Sequence, residues 1–271
     1  MTARVYDTDN ASDYQDLLRL KPSGVDVAEA LPRREEYASM EALDKGLVPI
    51  ESYPDVLIPE SEWEDRLAEA HAAKTLPIDH MYHTWCPQGE RWNQNGLGYC
   101  WTWGGTAALM CCRAVEDHDT VELAPVSMGF LVNWQNRGNY LESYIQGARQ
   151  YGVAPASHVP DSAWHSPNPR KFLDGWDTER LKYRLDKVWD CRRSDMTRHC
   201  VSGLVRGRAG YIAYNWWGHA LCLVSLRYEG RELLWDIRNS HNETDVITLK
   251  GSRAIPDECY FFISSTNEEA E

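Results

Sequence analysis

The sequence predicts an α+β fold in which a mainly helical half is followed by a β half. Residues 100–165 are rich in long apolar and small-residue stretches, which favour helices. From about Val201 the pattern changes to short apolar and aromatic runs separated by turn residues, which is typical of strands. Helices first and strands afterwards indicate two packed halves, and a cleft between them is the natural place for a site.

Three helices are predicted in the helical half. The first begins at Cys100 and continues through apolar and small residues that are typical of a helix buried on most sides. The second covers about 127–136, with Ser127 as its N-terminal cap. The third covers about 141–151 and ends at Gly152, because glycine commonly terminates helices.

The β half contains four predicted strands. They cover residues 211–214, 219–228, 232–238 and 259–263. The sequence Glu229-Gly230-Arg231 supplies a hairpin turn between the second and third of them.

Residues 1–78 differ from the rest of the chain and are predicted to form an acidic arm. They contain 17 acidic and 8 basic residues, a net charge of −9 out of −13 for the whole chain. The spacing of Ser61 and Glu64 is that of a capping box, which predicts a helix over about 61–74. We expect the arm to lie over the body of the protein or over neighbouring subunits; a propeptide-like cover on an active cleft is the alternative.

The remaining chain is predicted to form one domain over 79–271. Its helical half covers about 79–190, its β half about 191–265, and an acidic tail covers 266–271.

The composition argues against several classes of partner. The net charge of −13 disfavours nucleic acid and anionic membrane surfaces, since both require an excess of Lys and Arg. No apolar run approaches the roughly 20 residues needed to span a bilayer. The N-terminus lacks the apolar core of a signal peptide. We therefore expect a location in the cytoplasm or a virion, no membrane insertion, and reduced thiols for the eight cysteines.

One cluster has the spacing of metal ligands. His80, His83 and Cys86 recur every three residues and could place three ligands on one side of a turn. No second Cys or His pair follows at metal spacing. We expect an ordinary loop, no metal and no cofactor, with a zinc site as the alternative.

Residues 94–99 are predicted to form a loop that places Cys100 at the start of the first helix. Gly96 and Gly98 allow a tight turn and close approach of the backbone to a substrate. The orphan N–H groups and the positive dipole end of a helix favour an anion, so the pKa of Cys100 is expected to fall. The alternative is an inert buried cysteine, since free cysteines are often buried.

Two further residues complete a possible catalytic set with Cys100. His219 begins one predicted strand and Asn239 ends the next, so both side chains can border the cleft. Nucleophilic catalysis needs a thiolate, a base, and a group that fixes the tautomer of the imidazole. Gln94 could donate its amide to the developing oxyanion, together with the backbone N–H of Cys100. The alternatives are a structural histidine, a turn asparagine and a loop glutamine.

The motifs around these residues resemble those of the papain-type cysteine peptidases. They are Gln94-x-Gly96-x-Gly98-x-Cys100-Trp101, Gly138-Asn139-Tyr140, residues 146–153 with Val159-Pro160, Gly218-His219-Ala220-Leu221, and residues 235–240. They follow the family's order and spacing over roughly residues 77–263.

The resemblance implies a papain-like two-lobed fold with a Cys-His-Asn triad. The catalytic residues that it implies are Cys100, His219, Asn239 and Gln94. The substrate-binding residues are predicted to be Gly138, Asn139, Trp216 and Trp217. Two positions depart from the family: Leu97 replaces a cysteine three positions before the nucleophile, and His241 replaces a tryptophan that shields the His–Asn hydrogen bond.

The expected function is that of a thiol hydrolase that cleaves peptide or isopeptide bonds through an acyl-enzyme, with a peptide or protein as its substrate. A structural or decorating subunit of a larger assembly, such as a viral particle, is the alternative, and neighbouring subunits would then bind the acidic arm. A third possibility is an amidase that acts on cell-wall peptides.

Overall fold

A mixed sheet organises the molecule. The computed structural model describes residues 4–20, 47–48, 57–80, 90–131, 138–165, 171–191, 195–241 and 246–265. Eight strands lie within these ranges. They are β1 (Val5–Asp7), β2 (Leu47–Val48), β3 (Leu185–Asp190), β4 (Gly210–Tyr214), β5 (His219–Glu229), β6 (Glu232–Arg238), β7 (Val246–Lys250) and β8 (Glu258–Ser265).

The strands form a single sheet in the order β1-β7-β6-β5-β4-β8-β3-β2. The pairs from β7 to β3 across the sheet are antiparallel. Both edge strands pair in parallel, β1 with β7 and β2 with β3. Two strands from the first 78 residues therefore extend the sheet that the C-terminal residues build.

Helices cover both faces of this sheet. Within the described ranges they are α1 (Ala11–Arg19), α2 (Trp63–Ala73), α3 (Pro77–His80), α4 (Cys100–Val115), α5 (Val126–Leu131), α6 (Leu141–Gln150), α7 (Trp176–Glu179) and α8 (Met196–Val205). None of these helices is long and apolar enough to cross a membrane.

Alternation along the strands divides the core in two. Tyr211 and Cys222 belong to the apolar cluster shared with α4 and α6, whereas Ile212 and Leu221 belong to the cluster shared with α2 and α8. Successive side chains of a strand point to opposite faces, so the sheet is buried on both sides. The central strands consequently carry almost no exposed side chains, as the burial of all five residues of β4 shows.

The predicted α+β class is confirmed, and most predicted elements exist. The four predicted strands correspond to β4, β5, β6 and β8, and the first and third predicted helices to α4 and α6. The second predicted helix is observed as α5, beyond which residues 132–137 lie outside the described ranges. Ser127 lies inside α5 instead of capping it, because its hydroxyl donates to the carbonyl of Ala124 at 2.8 Å.

The capping-box prediction in the N-terminal segment is wrong in detail. A 3-10 turn over Glu60–Glu62 precedes α2, so the α-helix begins at Trp63 and no side chain caps it. α2 buries Trp63 and Leu67 in the core cluster that it shares with α8. The division of the chain at residue 78 stays a prediction, and the tail 266–271 lies outside the described residues.

Candidate active site

Cys100 is the first residue of α4 and faces the start of β5. A Cβ atom on Gly104 would lie only 3.0 Å from the backbone carbon and oxygen of Leu221, so the helix packs directly on the strand backbone. Residues four apart share one face of a helix. Cys100 is therefore on the same face one turn earlier, and the backbone N–H of Ala220 hydrogen bonds to its thiol. The sulfur thus lies at the residue that follows His219.

A second glycine lets another helix pack closely against α4. A Cβ atom on Gly105 would fall 2.4 Å from the ring of Tyr144, which belongs to α6. The helix that carries Cys100 is therefore held between β5 and α6. The absence of side chains at Gly104 and Gly105 therefore allows α4, and with it Cys100, to lie close to β5 and α6.

His219 and Asn239 are joined by a hydrogen bond. His219 Nε2 lies 2.8 Å from Asn239 Oδ1, and neither residue is exposed to solvent. The Asn239 side chain is itself fixed, because its Nδ2 donates to the carbonyl of His241 at 2.9 Å. Its Oδ1 also accepts from the backbone N–H of Ser240 at 2.9 Å. An amide with so many partners has one orientation, and it imposes that orientation on the imidazole.

Gln94 connects the loop before α4 to the end of β6. Its backbone N–H donates to the carbonyl of Ser240 at 2.7 Å, and its Oε1 accepts from the Ser240 hydroxyl at 2.7 Å. Its Nε2 donates to the carbonyl of Leu97 at 2.7 Å. Ser240 follows Asn239 directly, so three of the four predicted catalytic residues form one buried hydrogen-bonded chain. Sequence reasoning missed Ser240, whose only signal is its place next to Asn239.

The structure reverses the expectation that the pKa of Cys100 falls. The residue is only 4% exposed, and burial raises the pKa of its thiol to about 11. The backbone N–H groups of Ala220, Trp101 and Cys100 itself act in the opposite direction but are outweighed. The sequence argument considered the helix terminus and left out the loss of water around the sulfur, which disfavours the thiolate.

Two of the predicted substrate-binding residues, Gly138 and Asn139, lie just before α6. Gly138 is buried. The side-chain oxygen of Asn139 accepts from the backbone N–H of Tyr140 and from the hydroxyl of Ser143, both at 2.9 Å. Asn139 thus stabilises the first turn of α6 with its side-chain oxygen. The substrate-binding role of both residues stays a prediction.

The two tryptophans before His219 differ in exposure. Trp217 is fully buried and its ring centroid lies 5.0 Å from that of His219, edge to face. Trp216 is half-buried and stacks on Trp217 at 5.4 Å. Trp217 therefore contacts the imidazole and is not exposed in this structure. The substrate-binding role of both tryptophans stays a prediction.

Of the three candidate ligands of the alternative zinc site, His83 and Cys86 lie outside the described residues. Within the described ranges, no three His, Cys, Asp or Glu side chains come together in a way that could hold a metal ion. Seven cysteines lie in these ranges, all are buried, and none of them forms a disulfide within the described residues.

Solved structures share this architecture. The chain matches digestive procathepsin L 3 of Tenebrio molitor larval midgut with a TM-score of 0.53 and 12% identity, over 66% of this chain and 66% of that chain. It matches xylellain, a cysteine protease from Xylella fastidiosa, with a TM-score of 0.51 and 16% identity, over 68% and 85%. It matches the bromelain protease from Ananas comosus, in complex with the E64 inhibitor, with a TM-score of 0.51 and 13% identity, over 65% and 92%.

No protein-family model and no curated protein matches the sequence. The chain spans just under two thirds of the procathepsin chain, and more of the other two. Identities this low demonstrate a shared fold only. The chain therefore has the α+β, two-lobed fold of the papain-like cysteine proteases.

Proposed function

We propose that this protein is a thiol hydrolase that cleaves peptide or isopeptide bonds with Cys100 as its nucleophile. The observation that carries the proposal is the 2.8 Å hydrogen bond between His219 and Asn239, at the start of the strand whose next amide contacts the Cys100 sulfur. A buried imidazole with a dedicated orienting amide, on the residue before the one whose amide contacts a thiol at a helix start, is suited to nucleophilic catalysis.

The hydrogen bond to Asn239 sets the tautomer of the base. An amide oxygen only accepts hydrogen bonds, so the proton of the neutral imidazole resides on Nε2 of His219. Nδ1 is then the basic nitrogen, and it takes the thiol proton of Cys100. The thiolate attacks the acyl carbon, and the imidazolium returns the proton to the leaving amine as the C–N bond breaks. Water, deprotonated by His219, then hydrolyses the thioester and restores the thiol.

Gln94 is suited to stabilise the negative oxygen of the tetrahedral intermediate. One N–H of its side chain donates to Leu97, and Ser240 holds its carbonyl, so the direction of the second N–H is fixed. The backbone N–H of Cys100, at the first position of α4, has no partner within the helix and serves as the second donor.

The site is closed in this structure. Cys100 is 4% exposed, and His219, Asn239 and Gln94 are not exposed at all. Attack on a peptide therefore requires some of the residues that bury the site to move. The proton transfer to His219 must also overcome a thiol pKa of about 11.

These same observations favour a second candidate function, a structural subunit that keeps the fold without turnover. A buried thiol with a raised pKa is typical of an inert packing cysteine. In that case neighbouring subunits, and not a substrate, would be the partners of the protein.

Labelling with E64, the inhibitor bound in the bromelain structure, separates the two candidates. We expect covalent modification at Cys100 only, located by peptide mass spectrometry, and none in Cys100→Ser. Cys222→Ser is the matched control, since Cys222 is a buried thiol on the same face of the sheet, and it should label as the wild type does. Modification of another cysteine, or of none, would falsify the hydrolase proposal.

Turnover assays define the substrate class. Hydrolysis of unfolded protein or of isopeptide-linked substrates, lost in Cys100→Ser, supports the peptidase. Turnover of cell-wall peptides alone would assign the amidase instead. An assembly that forms equally well with wild type and Cys100→Ser, without any turnover, would establish the structural role.

A further inference from the structure

We propose that Trp217 is a positioning residue that holds the His219 imidazole against Asn239 and shields their hydrogen bond from water. A stack of aromatic rings that reaches the N-terminal segment holds Trp217 in turn. Its catalytic consequence rests on the proposed function, whereas its effect on the hydrogen bond does not.

The ring of Trp217 lies beside the imidazole in a dry environment. The two centroids are 5.0 Å apart with an interplanar angle of 69°, an edge-to-face arrangement that aromatic rings prefer. Both residues are completely buried. Because hydrogen bonds strengthen where water and its high dielectric are excluded, Trp217 protects the bond to Asn239.

Ring contacts, and not a hydrogen bond, keep Trp217 in place. Its indole N–H has no hydrogen-bond partner in the part of the chain that the structure describes, although a buried tryptophan usually has one. The ring instead stacks almost parallel on Trp216, at 5.4 Å and 10°. It also contacts Tyr214 at 6.2 Å. The position of Trp217 therefore depends on the position of Trp216.

Trp216 is anchored by two distant segments. Tyr14 of α1 packs on it, with centroids 5.3 Å apart. The indole N–H of Trp216 donates to the carbonyl of Arg253 at 3.1 Å. The Arg253 guanidinium lies over the Tyr14 ring at 4.5 Å. Each of three residues thus contacts the other two, and one of them stacks on Trp217. They are Tyr14, Trp216 and Arg253.

The N-terminal segment that supplies Tyr14 is firmly tied to the same loop. Asp9 accepts from the backbone N–H of Ser252 at 2.8 Å, and Thr8 accepts from the backbone N–H of Arg253 at 3.1 Å. β1 adds parallel pairing with β7 immediately before these contacts. Residues 4–20 therefore support the imidazole indirectly, through the contacts of Tyr14 with Trp216, Trp216 with Trp217, and Trp217 with His219.

This stack compensates for a departure in the sequence. His241 stands where the resemblance predicts a shielding tryptophan, and its backbone carbonyl accepts from the Asn239 side chain. Trp217, two residues before His219, supplies an indole from the turn that precedes β5. The shielding indole thus comes from the turn before β5 instead of the segment after β6, and the N-terminal segment supports it through Tyr14 and Trp216.

The test measures the hydrogen bond itself. In protein labelled with 15N-histidine, the Nε2–H proton of His219 is identified by its loss in His219→Gln, and its exchange with water is measured by NMR. We expect exchange to accelerate about tenfold or more in Trp216→Leu and in Tyr14→Leu. Tyr14→Phe keeps the aromatic ring, so its exchange should stay as slow as in the wild type. Phe130→Leu is the matched control, because Phe130 is an exposed aromatic residue that contacts Trp176 and not the stack.

Exchange that stays at the wild-type rate in both leucine variants would overturn the proposal, as would equal acceleration in Phe130→Leu. The readout needs no turnover, so it is independent of the proposed function. An inactive protein whose Nε2–H responds as expected keeps the positioning role and loses the hydrolase. An active protein should show kcat lowered in Tyr14→Leu with little change in KM, because Tyr14 acts on the base through Trp216 and is not among the predicted substrate-binding residues.

Discussion

Replacing His219 by glutamine should change how the reactivity of Cys100 depends on pH. Burial, partly offset by three backbone N–H groups, raises the pKa of this thiol to about 11. At pH 7.5 such a thiol is protonated about 3,000 times more often than it is ionised. A neighbouring imidazole that accepts the proton creates a thiolate–imidazolium pair, and a cysteine paired in this way ionises several pH units lower. The two situations therefore predict different pH profiles.

The assay is the rate of alkylation of Cys100 by iodoacetamide between pH 6 and pH 10, followed at the modified peptide by mass spectrometry. In the wild type we expect a rate that changes little between pH 6.5 and pH 9, because the pair is already formed. In His219→Gln the rate should rise about tenfold per pH unit over this range, since only the thiolate reacts. Limited access to the buried sulfur scales all rates alike and leaves the slopes unaffected.

His118→Gln is the control for this experiment. His118 lies beyond the other end of α4, where it pairs with Glu116, and its replacement should leave the wild-type profile unchanged. A tenfold rise per pH unit in the wild type as well would refute the reasoning, because His219 would then contribute nothing to ionisation of the thiol.

Three further predictions follow from the contacts of the site. Asn239→Ala should lower kcat for peptide hydrolysis by one to two orders of magnitude with little change in KM, less than the roughly 10²–10⁴-fold that a general base contributes; an unchanged kcat would exclude an orienting role. Ser240→Ala leaves the buried Oε1 of Gln94 without its donor and should reduce the free energy of unfolding by about 1–3 kcal/mol in chemical denaturation. Gly105→Ala places a Cβ 2.4 Å from the Tyr144 ring and should cost about 1–3 kcal/mol, seen as a lower midpoint of thermal unfolding; equal stability of wild type and variant would show that α4 can shift freely.

The elements that the sequence predicted well are those that local pattern and turn chemistry determine. β5 and β6 are joined by a hairpin whose Gly230 has a φ of +64°, a value that glycine adopts readily. α6 ends where Gly152, at a φ of +70°, closes it. Both signals lie within a few residues of the structure that they specify, so they can be found without knowledge of the fold.

The missed elements lack such local signals. β3 exposes two successive residues, Asp186 and Lys187, at register shifts that break the alternation of a strand. β7 buries four of its five residues, so no alternation marks it. In α8, Gly203 weakens the helical pattern, yet a Cβ there would lie 2.5 Å from the ring of Phe261. Tertiary packing explains this glycine, and one sequence does not reveal such packing.

In the candidate site, too, the sequence reveals some features and not others. The types and spacing of Gln94, Cys100, His219 and Asn239 indicate the chemistry directly. The environment of the sulfur does not follow from them, because it depends on Ala220, which is 120 positions away in the chain. The Tyr14–Trp216 contact joins residues that are 202 positions apart. Long-range packing thus determines the burial that raises the pKa of the thiol, which the sequence argument left out.

Burial and ionisation oppose each other at Cys100, and this conflict determines how the proposed enzyme must work. The dry surroundings that keep His219 on Asn239 also disfavour a thiolate, since a charge loses its hydration there. A separated thiolate would be costly in such a site, whereas a thiolate in contact with an imidazolium recovers much of the loss through attraction at low dielectric. The orientation of the imidazole therefore controls the nucleophile as well as the base. A support that keeps the ring in one place, even from as far away as α1, then contributes to the chemistry and not merely to the stability of the fold.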